Sequence, residues 1–296
     1  MRLCEAAGRT GGHGHPRSPS VPGMARTLTD HLGTTVTLPD GPVRRVVSLV
    51  PSLTEAVAVT RREALVGATD WCTHPADLDV ARVRGTKNPD RAAVEALAPE
   101  LVLCVQEENR ELDVERLRAA GVPVWVSVVE SVPQALASMH RLFEEVLAWG
   151  VPDWLADVEE VWGGGAGADA AEHGSVESHD AARPPVRARV AVAVWRDPWM
   201  VVGSRTFTGD LLRRSGLANV HEDHEERYPT VALEELDSAG ADVILLPDEP
   251  YEFTPEDGPE AFANTPTQLV SGRLLTWYGP SMLEAADLLA AVPAQP

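Results

Sequence analysis

Short apolar runs alternate along this chain with stretches in which apolar positions recur at helical spacing. Residues 46–50, 65–68, 101–105 and 124–128 are such runs, and each reads as a strand covered on both faces. Between them, residues 90–98 and 113–120 carry helical periodicity, the second closed by Gly121. Ser52 followed three residues later by Glu55 has capping-box spacing and predicts a helix start after the first run. Upstream, residues 27–38 have β-branched flanks around turn signals at Asp30 and Gly33, which predicts a hairpin. Residues 132–162 are helical, broken at Pro152. The strand–helix alternation then resumes: strand 188–195, helices 208–215 and 232–239, strands 243–246 and 274–277, and helix 281–291. Strands alternating with helices in this way indicate parallel sheets. The expected class is therefore α/β, with two Rossmann-like lobes and a helical crossing between them.

Composition sets the boundaries. Residues 1–26 read as a disordered leader, 27–130 as an N-terminal lobe and 131–162 as the connecting region. Residues 163–186, rich in Gly, Ala, Asp, His and Ser, read as a flexible insertion, and 187–296 as a C-terminal lobe. With 296 residues the chain is long enough for about two domains. Its formal net charge of −20 repels phosphate backbones and argues against nucleic acid as a partner. No apolar stretch is long enough to span a membrane. Cys4, Cys72 and Cys104 form no metal-type or disulfide pattern. Residues 1–23 lack the apolar core of a signal peptide, which as written points to the cytoplasm; Met24 is an alternative start.

Candidate chemistry gathers at strand exits, where open α/β sheets bind ligands. Asp70-Trp71-Cys72-Thr73-His74-Pro75 follows the second strand, with Trp71 offering a flat apolar face and His74 a hydrogen-bond donor or axial metal ligand. Glu107, Glu108, Asn109 and Arg110 follow the third strand as a polar rim, near which Lys87 could counter an anion or pair with Glu107 or Glu108. Ser52 stands at the exit of the first strand. In the second half Trp195 and Trp199, then Trp277 and Tyr278, stand at strand ends, whereas Trp125, Trp149, Trp154 and Trp162 read as core. Aromatic side chains on two jaws suit a large planar ligand. Two other readings compete: an enzyme with Cys72, His74 and Glu107 as its reactive set, and a metal site in His221-Glu222-Asp223-His224-Glu225-Glu226, which reads better as an acidic solvated loop. Gly163 to Ala168 formally fits a dinucleotide fingerprint but follows a helix instead of a strand.

Several segments together carry a family resemblance. They are Thr29-Asp30-His31-Leu32-Gly33, Arg45 to Glu55 with its Pro51-Ser52-Leu53-Thr54-Glu55 core, Asp70 to Pro75, Gly85-Thr86-Lys87-Asn88-Pro89-Asp90, Pro99 to Leu103, and Glu107 to Arg110. In these the chain resembles the substrate-binding proteins of iron-chelate and cobalamin ABC importers, the helical-backbone metal receptor group, over residues 29–292 apart from the 163–185 tract. The resemblance implies two α/β lobes joined by a long rigid helix, with a cobalamin-like corrinoid or other metal chelate held in the cleft between them. It implies no catalysis and no resident cofactor or metal. The implied partner is a membrane permease docked through surface carboxylates, and an extracytoplasmic location if the chain starts elsewhere.

Overall fold

The computed structural model describes residues 25–163 and 184–293. Nearly all of the leader and of the Gly/Ala-rich tract, with Cys4, His13 and His15, lies outside the described residues.

The first sheet has five parallel strands in the order Ala81–Arg82, Leu65–Ala68, Val46–Ser48, Leu101–Val105, Val124–Ser127. Every residue of the last three is buried, as expected of parallel strands covered on both faces. The two-residue period sorts their side chains. Val46, Leu101, Leu103 and Trp125 enter one core, while Val47, Val102, Cys104 and Val126 enter another. The hairpin Arg26–Thr29 with Thr35–Leu38 forms as predicted. Its Asp30 accepts bonds from the amides of Leu32 and Thr34 and from Arg118 at 2.6 Å, tying the turn to the sheet.

The second sheet runs Leu217–Asn219, Ala188–Trp195, Val243–Pro247, Thr267–Val270, all parallel, with Met200–Val201 antiparallel to the far end of Ala188–Trp195. Here one expectation is corrected. Residues 274–277 are not a strand; Gly272–Thr276 is a short helix, and the edge strand is Thr267–Val270. Gly272 packs so closely on Glu249 that a Cβ would stand 2.6 Å from its carbonyl oxygen, so the chain turns into a helix there.

Helix Val132–His140 continues as a π-helical turn, Arg141–Val146, and is followed after a loop by helix Asp153–Trp162. The crossing is therefore a helix pair, clipped together by His140 Nε2 and Glu159 Oε1 at 2.6 Å, instead of one uninterrupted helix. Trp154 Nε1 donates to Thr60 Oγ1 at 2.9 Å in the first unit, and Trp162 Nε1 donates to the Met282 carbonyl at 2.8 Å in the second. One apolar core runs through this pair from Val46 to Val190, so the two sheets share a continuous packed interior.

Candidate functional site

In both sheets the chain order reverses at the central strands. The first strand of each parallel sheet, Val46–Ser48 or Ala188–Trp195, has the next parallel strand on one side and a later one on the other. Loops leaving such switch points open a crevice at the strands' carboxyl ends. In the first unit these are the entry to helix Pro51–Arg61 and Gln106 to Arg110. In the second they are Trp195 to Pro198 and Asp248 to Tyr251. The two crevices meet. Arg227 of the second unit reaches Glu107 Oε2 at 3.0 Å and Glu130 Oε1 at 3.3 Å in the first. The Trp277 ring meets His74 edge-on at 5.5 Å between centroids.

Trp71 stands at this gap with 60% of its surface exposed. Its loop is pinned from beneath. Arg82 donates to the carbonyls of Thr69, Cys72 and Leu78. Cys72 points inward and accepts from Thr54 Oγ1 at 3.0 Å. Asp70 and Trp71 form the tip of a turn closed by the Cys72 amide on the Thr69 carbonyl at 3.2 Å, which leaves Trp71 outside while Cys72 is buried. Gly85 closes the arrangement, because a Cβ there would lie 3.3 Å from the Trp71 Nε1 and still closer to Asn88. Trp195 is 43% exposed and meets Tyr251 edge-on.

Two residues expected to face a ligand, Trp199 and Asn109, are engaged inside the protein instead. Trp199 is buried in the interior of the second unit, stacked on Phe253 with centroids 5.8 Å apart and edge-on to Phe262. A bulky apolar ring next to a strand finds more contact beneath the sheet than above it. Asn109 is a structural pin: its Oδ1 accepts from the Val105 amide, and its Nδ2 donates to the carbonyls of Leu49 and Thr86. Ser52 is no cap, since helix Pro51–Arg61 begins one residue earlier with Pro51 in its first turn and Val50 at the cap. Its buried hydroxyl faces that of Tyr278, and neither has another hydrogen-bond partner. Glu55 pairs instead with Arg273 at 2.5 Å.

The carboxylates of the gap are strongly perturbed. Burial, then repulsion from Glu107, pushes the Glu108 carboxyl up to about 8, with Glu249 across the gap adding to the shift and Lys87 opposing it. Burial likewise raises Glu249 to about 7, the Trp277 indole partly offsetting it and Asp248 reinforcing it. Burial and then Glu108 hold the Tyr278 phenol well above its ordinary value. Lys87 donates to the Glu107 carbonyl at 2.7 Å. Sequence reasoning missed Glu249, although it leaves strand Val243–Pro247 at the kind of exit used to find the others, and Arg227, whose acidic neighbours read as a solvated loop.

The rival sites do not assemble. Burial pushes the Cys72 thiol up, and His74 lies against Thr73 and Trp277. Among the described residues no group of three or more His, Cys, Asp or Glu side chains is gathered to hold a metal. His221 is partly buried, and His224 accepts from the Glu226 amide.

No protein-family model and no curated protein matches this sequence. Solved structures do. The periplasmic vitamin B12 binding protein BtuF of Vibrio cholerae superposes with a TM-score of 0.62 at 17% identity, covering 84% of this chain and 96% of that one. The periplasmic heme-binding protein RhuT from Roseiflexus gives 0.64 at 19%, covering 84% and 98%. Helicobacter pylori CeuE, in a nickel–histidine complex, gives 0.70 at 14%, covering 90% and 87%. The described chain thus has the two-lobe α/β fold shared by periplasmic binding proteins for vitamin B12 and heme.

Proposed function

We propose that this protein is a substrate-binding protein that holds a corrinoid or other metal chelate between its lobes and hands it to an ABC importer. The observation that carries the reading is the exposed Trp71 indole at the carboxyl ends of one parallel sheet, with the exposed Trp195 at the carboxyl ends of the other. A large indole left in water while Arg82 holds its loop by three carbonyls is shaped for contact with something outside the chain. The vitamin B12 and heme binding proteins that share the fold support the same class of ligand. Trp71, His74, Glu107, Glu108, Arg110 and Trp195 are the contacts assigned here, with residues 27–130 and 187–296 as the two jaws and a periplasmic location like that of the neighbours. No described helix is long and apolar enough to cross a membrane; in this reading the partner of delivery is a separate permease. Binding is non-catalytic in this reading.

The experiment is a titration of intrinsic Trp fluorescence with cyanocobalamin, haemin and ferric siderophores. Saturable quenching by one of them, abolished in Trp71→Ala, is the expected result. No quenching by any, up to tens of micromolar, overturns the proposal.

A further inference from the structure

Carboxylates reach the gap from both sides: Glu107 and Glu108 from the first unit, Asp248 and Glu249 from the second. Among the described residues the cations around it are already engaged. Lys87 is held on the Glu107 carbonyl. Arg227 lies between Glu107 and Glu130, and Arg273 between Glu55 and Glu284. On the Trp195 side Arg196 is shared by Asp257 and Glu260. Arg110, exposed at the rim, is the exception. At the floor the Tyr278 hydroxyl, 5% exposed and beside Glu108, faces the Ser52 hydroxyl. Neither has another hydrogen-bond partner in the chain, so the pair keeps spare donor and acceptor capacity.

We infer that the gap selects metal chelates whose periphery carries hydrogen-bond donors or positive charge, and rejects those bearing carboxylates or phenolates. This rests on the receptor reading above and names the chemistry of its ligand. An anionic periphery would meet like charge from both lobes in a partly desolvated space, with Arg227, Arg273 and Arg196 already paired to carboxylates. An ammonium would ionise Glu108 and Glu249 and gain their attraction, and peripheral amides would donate to the same carboxylates and to Tyr278.

The test is a set of competition titrations on the full chain. The probes are ferrioxamine B (a ferric trihydroxamate with an ammonium tail), cyanocobalamin (amide-rich), haemin (two propionates) and a ferric tris-catecholate. One of the first two is expected to bind tightest, by about tenfold over either anionic probe. Glu108→Gln with Glu249→Gln then shrinks that margin for ferrioxamine B. In the unaltered protein at about pH 7.5, calorimetry in two buffers of different ionisation heat reports the proton count. Binding of the cationic chelate is expected to release protons, a readout that does not depend on the variant folding. An anionic probe binding tightest or equally tight, above all if Arg110→Ala weakens it, overturns the inference and leaves the receptor reading standing. Proton uptake with the cationic probe also overturns it. Failure of all four to bind overturns both.

Discussion

Two indoles that look alike in the sequence do opposite jobs. Trp71 is largely in water, while Trp199 is 7% exposed and stacked on Phe253. Truncating a core aromatic removes its burial and leaves a cavity, so Trp199→Ala should cost about 3–5 kcal/mol in urea denaturation. Trp71→Ala should stay within about 0.5 kcal/mol of the parent in the same assay, because most of the lost surface is already exposed. It should still abolish chelate-dependent quenching. Equal destabilisation by the two would show that the Trp71 loop is packed differently. The difference between these rings was not legible in the sequence. Both follow strands, and what separates them is the direction each side chain takes, set for Trp71 by its place at the tip of the Thr69–Cys72 turn.

At the scale of elements, the contact between helix Pro51–Arg61 and helix Gly272–Thr276 rests on a charged pair. Arg273 reaches Glu55 at 2.5 Å and Glu284 at 2.8 Å, and the Glu55 side chain is only 6% exposed where that of Glu284 is 61%. Removing Arg273 strands a buried carboxylate, so Arg273→Met is expected to cost about 3–5 kcal/mol. Glu284→Gln removes an exposed partner and should cost no more than about 1 kcal/mol. Thermal melts of the two variants separate these cases; comparable losses would mean that Glu55 is solvated. Strands were the most legible elements, because fully buried parallel strands need uninterrupted apolar runs. Strand Leu101–Val105 has the predicted bounds. Helix Gly272–Thr276 was misread because Leu274 and Leu275 are apolar in either structure, and only the close approach of Gly272 to Glu249 turns the chain.

For the whole molecule the raised carboxyls set a pH dependence. The folded protein holds protons on Glu108 to about pH 8 and on Glu249 to about pH 7, whereas in the unfolded chain both release them near 4.5. Between those limits the folded state binds more protons, so stability falls as pH rises. Their contribution is fully present below about pH 4.5 and gone above about pH 8. Across this window the melting temperature of the ligand-free protein should therefore fall relative to that of Glu108→Gln as pH rises, while His31 and His221, both lowered by burial, act in the opposite direction in both proteins. Identical slopes would show that Glu108 titrates normally. Arg227 adds a second constraint by joining the units through Glu107 and Glu130. Arg227→Ala should let the lobes separate, visible as a larger radius of gyration by small-angle scattering and as faster chelate association. No change in either would place the restraint in the shared core alone.

The linear order of apolar runs and helical stretches determined the α/β class, the parallel sheets and the strand exits where a site forms, because burial on both faces and loop placement are local demands written into consecutive residues. Which exit residues face the gap was decided only by tertiary structure. Trp199 and Asn109 were claimed by the interior, while Arg227 and Glu249 were brought to the gap from 120 and 141 residues beyond Glu107 and Glu108. A side chain's exposure and ionisation depend on what packs against it from distant parts of the chain, and no spacing along the sequence encodes that.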